Sequence, residues 1–287
     1  MLTGAEPSGV PAAAAVMAHA GGENFPVASR VLPRDVRADL LAIYGFARLV
    51  DELGDSFAGD RAAALDWLEA ELDRAYAGTA THPLLVRLQP TLRERRLPAG
   101  PFRRLIEANR VDQRVTRYET WTQLRSYCAL SADPVGELVL GVLGLATPAR
   151  VELSDSICTA LQLVEHCQDV AEDLAAGRIY MPREDLERFD CGEAQLRERR
   201  AGEQVRALLA FELARARALF DAGAPLVAQL RGRARIAVAA FLAGGRAAAG
   251  AIEAAGYDVL AGPPRAGRVR LARELTVALL ARTPAAR

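Results

Sequence analysis

Lysine is missing from this sequence of 287 residues: all 36 basic side chains are arginine, and 36 acidic ones match them. A formal charge of zero leaves no basic surplus of the kind that holds a protein on nucleic-acid phosphates, so no nucleic-acid partner is expected. The arginine-only usage reads first as codon bias, although a guanidinium also suits two-pronged diphosphate contacts. Cysteine is scarce, and Cys128, Cys158, Cys167 and Cys191 stand at no zinc-type or disulfide-framework spacing, which points to a reducing cytoplasm. The uncharged runs at 138–149 and 236–245 fall short of the roughly 20 apolar residues that cross a bilayer. No positively charged start leads into an apolar stretch, so no secretory signal is expected and the chain reads as soluble or peripheral to a membrane.

What the chain does have is apolar content, 51% of it, arranged at helical spacing. Residues 1–20 are rich in Ala, Gly and Pro and read as a loose arm, leaving 21–287 as a single domain. Val36, Leu40, Ile43, Tyr44 and Ala47 form a helical stripe that carries the chain to an acidic motif at 51–55. Further helical patterns are expected at 60–77, 82–95, 101–115, 120–145, 149–174, 202–222, 224–255 and 267–282, with no convincing strand. A chain with only helices to pack is expected to be all-α, one bundle whose side chains project into a central cavity.

Two acidic clusters interrupt the apolar pattern. Asp51 and Asp55 are four residues apart, which on a helix puts them on one face, with Arg48 on much the same face. Asp169 and Asp173 repeat the spacing, Glu165 extends the stripe one turn earlier, and Glu172 lies beside it. Stacked like charges destabilise a helix by about 0.2–0.5 kcal/mol per pair, and a hard cation removes that repulsion. Mg²⁺ takes oxygen ligands from one or two carboxylates and from substrate phosphates, which two carboxylate pairs can supply. Either pair alone is equally at home on a solvated helix face. Both, however, follow strongly apolar runs, at 40–47 and 157–164, and so emerge from helices expected to be buried.

Gln162 with the run Gln168-Asp169-Val170-Ala171-Glu172-Asp173 and Gly177-Arg178-Ile179-Tyr180-Met181-Pro182 resembles the second signature of the squalene and phytoene synthase family. Tyr127 to Gly136 resembles the tyrosine-containing segment before it, Arg48 to Asp55 the first aspartate-rich motif, and Ile252 to Val259 the C-terminal segment. The opening Glu23-Asn24-Phe25-Pro26-Val27-Ala28-Ser29 is similar to the hydroxysqualene synthase branch. That resemblance implies an isoprenoid synthase-type helical fold and conversion of presqualene diphosphate to hydroxysqualene, without the NADPH reduction of a full squalene synthase. The steps would be loss of diphosphate, rearrangement to an allylic cation, and capture by water.

The resemblance also implies site roles. Asp51, Asp55, Glu165, Asp169 and Asp173 would hold about two or three Mg²⁺ ions that bridge the leaving diphosphate. Arg48, Gln162, Glu165, Arg178 and Asn24 would bind substrate, although Arg48 also suits an intrahelical pair with Asp51 or Glu52. Tyr44, Tyr127 and Tyr257 match family tyrosines near the diphosphate or cation, but aromatics in apolar stripes are as readily plain core. His166 and Cys167 adjoin Glu165, yet neighbouring helical residues diverge by about 100°, which argues against zinc. Gly141, Gly144 and Ala146 leave room for an isoprenoid tail or serve close helix packing.

The chain departs from the family at Glu52 for Asp, Glu165 for Asn and Gln168 for Arg. Losing a cation and gaining an anion disfavours joining two prenyl diphosphates and suits a substrate that carries one. A non-catalytic protein that keeps the fold is the alternative of another class. The partners implied are presqualene diphosphate or another prenyl diphosphate, a peripheral membrane contact for the hydrophobic product, and coupling to a presqualene diphosphate synthase and a hydroxysqualene-reducing enzyme. The expected location is the cytoplasm or the inner membrane face.

Overall fold

A computed structural model describes residues 6–18 and 31–280. Among them regular structure is helical, and the extended pairing recorded is one isolated bridge between Arg117 and Ile179, as the all-α reading requires. The described residues divide into two compact units: one runs to Arg114 and includes Pro134–Val151, and the other comprises Val115–Asp133 and the chain from Glu152 on.

The first unit is built on α1 (Ala13–Ala18), α2 (Arg34–Asp51), α3 (Arg61–Ala77), α4 (Pro83–Arg95) and α5 (Ala99–Asp112). α1 lies within the segment expected to be a loose arm: Val16 is buried and α1 packs on α2, so apolar contact orders a stretch that composition alone reads as loose. The Asp60 side chain accepts from the Ala63 N–H at 3.0 Å and so starts α3, which ends at Gly78 in the left-handed conformation. Leu40, Ile43, Phe46, Leu49, Leu65, Leu68, Leu85, Leu88, Phe102 and Ile106 form the core, with Phe46 and Phe102 edge to face at 5.1 Å. Asp39 ties α2 to α4, accepting from Thr91 Oγ1 at 2.7 Å and from Arg95 Nε at 2.8 Å.

The second unit holds α6 (Trp121–Ser131), most of α8 (Pro148–Gln168), α9 (Val170–Ala175), α10 (Arg183–Arg188), α11 (Glu193–Leu196), α12 (Glu203–Gly223), α13 (Pro225–Gln229), α14 (Gly232–Ala254) and α15 (Arg268–Leu280). α7 (Asp133–Val142) starts at the boundary, and its first residue is a buried tie: Asp133 accepts from Arg125 and from Thr159, both at 2.8 Å. The helix expected over 120–145 is thereby split into α6 and α7. α12 approaches α8 so closely that a Cβ on Gly223 would meet Ile157 Cγ1 at 2.5 Å and the Leu153 carbonyl at 2.7 Å. α14 is long and apolar enough to cross a membrane, which short uncharged runs did not suggest, but 67% of its apolar window is buried within the fold.

Candidate functional site

α2 does not simply stop at the first acidic motif. It ends at Asp51 and continues as one wider π-helical turn, Glu52–Ser56, so Asp51 and Asp55 are not on one regular α-helical face. Both aspartates are exposed, while Leu53 and Gly54 are buried beneath them. α5 holds the turn from below. Gln113 Nε2 donates to the Gly54 carbonyl at 2.9 Å and to the Asn109 carbonyl at 3.0 Å, and Asn109 Nδ2 lies 3.4 Å from Asp51 Oδ1. Arg48 pairs with Glu52 at 3.0 Å, the intrahelical arrangement open to it from the sequence, and its buried Nε has no hydrogen-bond partner among the described residues. Tyr44 is half-buried on α2 one turn before Arg48. Asn24 lies outside the described residues.

The second acidic motif also sits at a helix interruption. The continuous helix expected over 149–174 is broken at Asp169, whose φ of −100° and ψ of 15° separate α8 from α9. The backbone still bonds across the break: the Asp169 N–H donates to the Glu165 carbonyl at 2.9 Å, and the Asp173 N–H to the Asp169 carbonyl at 2.8 Å. Burial and then the neighbouring Glu172 push the Asp169 carboxyl above its usual range. Glu165 and Gln162 are half-buried on α8, and Gln168 is buried, donating to the Pro264 carbonyl at 2.9 Å. Where the family carries a cation, this side chain fastens a loop.

An aromatic cluster stands beside this motif. Tyr180 stacks on His166 at 3.9 Å and approaches Tyr127 at 5.6 Å and Tyr118 at 5.9 Å, with all four residues buried. His166 Nδ1 is 4.0 Å from Asp173 Oδ2, and Arg178 Nη1 donates to the Tyr180 hydroxyl at 3.5 Å. The segment carrying Arg178 and Tyr180 is anchored where the Ile179 N–H donates to the Thr116 carbonyl at 3.0 Å. Burial pulls the His166 imidazole down to about 3, so the ring is neutral. Tyr127, Asp173 and Arg178 are thus brought together through Tyr180 and His166, which sequence reading missed as site residues. Tyr257 occupies the turn after α14 at φ 61°, and among the described residues no ring contact links it to the cluster.

Among the described residues no group of three or more His, Cys, Asp and Glu side chains converges to hold a metal by itself. The donor set that remains is carboxylate oxygen presented in pairs. That chemistry fits a hard cation that completes its shell with phosphate oxygens and water.

The signal that could have exposed Asn109 is its place in α5. Phe102, Leu105 and Ile106 set the buried stripe, and Asn109 continues it as an amide among apolar side chains.

The squalene/phytoene synthase family model matches residues 18–274. A hydroxysqualene synthase of Sinorhizobium fredii is 35% identical over 213 residues, 73% of this chain and 72% of that protein. A 15-cis-phytoene synthase of Synechococcus elongatus is 33% identical over 251 residues, covering 83% of this chain and 82% of its own. In three dimensions the chain is similar to squalene synthase HpnC from Alicyclobacillus acidocaldarius, with a TM-score of 0.79 and 48% identity across 85% of this chain and 93% of the other. The fold, the order of the motifs and these similarities agree that the chain belongs to the squalene/phytoene synthase family of prenyl-diphosphate-processing enzymes.

Proposed function

We propose that this enzyme converts presqualene diphosphate and water to hydroxysqualene and diphosphate with the help of Mg²⁺. The observation that carries the reading is that both acidic motifs stand where a helix is interrupted, at the π turn after Asp51 and at the break on Asp169. Interruptions of this kind cluster at functional sites, and here each one presents a pair of carboxylates. Glu52, Glu165 and Gln168 favour a substrate with a single diphosphate, and a hydroxysqualene synthase is among the relatives.

Asp51 and Asp55 of the first motif, and Glu165, Asp169 and Asp173 of the second, are the proposed carboxylate ligands of about two or three Mg²⁺ ions, which, when bound, would compensate charge on the departing diphosphate. Arg48 and Arg178 would add hydrogen bonds to phosphate oxygens, with Gln162 and Asn24 as further substrate contacts. The carbon–oxygen bond breaks with its electron pair going to diphosphate. The faces of Tyr118, Tyr127 and Tyr180 suit the positive charge left behind, with Tyr44 and Tyr257 assigned to the same task. The cyclopropylcarbinyl cation rearranges, with a ring carbon–carbon bond breaking, to an allylic cation, and a water oxygen then bonds to the allylic carbon and releases a proton. No reductant enters this balance, so no NADPH is required. We place the enzyme in the cytoplasm or against the inner membrane face, where an enzyme forming presqualene diphosphate would supply it and one reducing hydroxysqualene would consume its product.

The second reading, condensation of two prenyl diphosphates, is supported by the phytoene synthase and squalene synthase relatives. Separate incubations of the purified protein and Mg²⁺ with presqualene diphosphate and with farnesyl diphosphate decide between them. Hydroxysqualene from the first alone is expected; a hydrocarbon from farnesyl diphosphate alone would overturn the proposal.

A further inference from the structure

We propose that Asn109 and Gln113 of the α5 end are positioning residues that hold the π turn and fix Asp51 and Asp55 as a cation-binding pair. The inference rests on the Mg²⁺ reading above and adds residues that neither acidic motif contains.

Three contacts carry it. Gln113 Nε2 is shared between the Gly54 carbonyl, at 2.9 Å, and the Asn109 carbonyl, at 3.0 Å, so one amide joins the middle of the turn to the backbone of α5. Asn109 then lies directly on Gly54: a Cβ at residue 54 would meet Asn109 Oδ1 at 1.9 Å and its Cγ at 2.7 Å. The same side chain turns its Nδ2 toward Asp51 Oδ1, 3.4 Å away. Asn109 is 8% exposed, so its placement is set by packing and not by solvent.

The chemistry of the amide matters as much as its position. A neutral amide N–H facing Asp51 orients the carboxylate without adding a positive charge, and so leaves the carboxylate's charge for a cation. An arginine or lysine there would compete with the metal, and an aspartate would add repulsion. A π turn departs from the regular ladder and needs outside partners to persist. Gln113 and Asn109 supply them at the turn that carries Asp55. Partners of metal-binding carboxylates are typically worth 10- to 100-fold in metal affinity or activity.

The test uses the full chain in two measurements, Mg²⁺-dependent binding of farnesyl S-thiolodiphosphate by calorimetry and the melting temperature without metal. Asn109→Leu keeps the bulk and removes the donor, Gln113→Leu removes the tie to Gly54, and Gln113→Asn keeps a neutral amide donor one methylene shorter. The two leucine variants are expected to weaken Mg²⁺-dependent binding by roughly tenfold. Their melting temperature should stay within a few degrees of the wild type, and Gln113→Asn should recover part of the loss. Wild-type Mg²⁺ affinity in a folded Gln113→Leu protein would overturn the proposal while leaving the Mg²⁺ reading intact. If Asn109→Leu does not fold, the half-buried Gln113 pair of variants decides alone. An absence of Mg²⁺-dependent binding in the wild type would instead overturn the underlying reading, and this proposal with it.

Discussion

Glu212 is a buried acid whose titration the fold must absorb, and its replacement gives a quantitative check on the second unit. The residue is 0% exposed on α12. Its Oε2 accepts from Arg215 Nη1 at 2.7 Å, and the same nitrogen donates to Asp185 Oδ2 at 2.9 Å, so one guanidinium nitrogen serves two carboxyl groups. Glu212 Oε1 is buried and has no hydrogen-bond partner among the described residues. Burial, reinforced by Asp185 and only partly offset by Arg215, raises the carboxyl from 4.5 to about 8. Between those values the folded protein keeps a proton that the unfolded chain releases, so stability falls as pH rises from about 5 to 8. At about 1.36 kcal/mol per unit, the loss is roughly 3–5 kcal/mol. Glu212→Gln keeps an acceptor for Arg215 and removes the titration. Urea unfolding at pH 5, 6.5 and 8 should therefore show the wild type losing stability relative to the variant by that amount. Parallel pH dependence of the two proteins would refute the reasoning.

Asp51→Ala and Asp169→Ala should each abolish turnover while urea midpoints remain near the wild type, because Asp51 is exposed, Asp169 is half-buried, and neither fills the core. Normal product formation by either variant would remove it from the proposed site. Phe46→Ala should cost about 3–5 kcal/mol in urea unfolding, since Phe46 is 0% exposed and packs edge-on against Phe102. A loss below about 1 kcal/mol would show that the first unit closes around the vacated space.

Much of the fold was legible because helical periodicity is local. The stripes through Val36, Leu40 and Ile43 and through Ile157, Leu163 and Val164 correctly mark α2 and α8. The acidic motifs were legible as chemistry but not as geometry. Four-residue spacing predicted two regular faces, whereas the chain widens after Asp51 and breaks at Asp169. Nothing in the sequence near Asp51 announces the π turn, because its supports, Asn109 and Gln113, lie 58 and 59 residues from the atoms they contact. The aromatic cluster was hidden for the same reason. Tyr118, Tyr127, His166 and Tyr180 come from segments far apart in sequence, and ties such as those of Ile179 to Thr116 and Arg183 to Tyr118 form only in three dimensions. Short α10 and α11 escaped because four to six residues are too few to establish a period. Gln168 was read through what the family has at that position, a cation for diphosphate, and its bond to Pro264 emerges only in three dimensions.

The most direct test of the proposed reaction is to run it in ¹⁸O-labelled water with presqualene diphosphate and Mg²⁺, without NADPH, and to analyse the product by mass spectrometry. Capture of the cation by water predicts hydroxysqualene whose hydroxyl oxygen carries the label. Unlabelled hydroxysqualene, or a hydrocarbon as the main product, would contradict it.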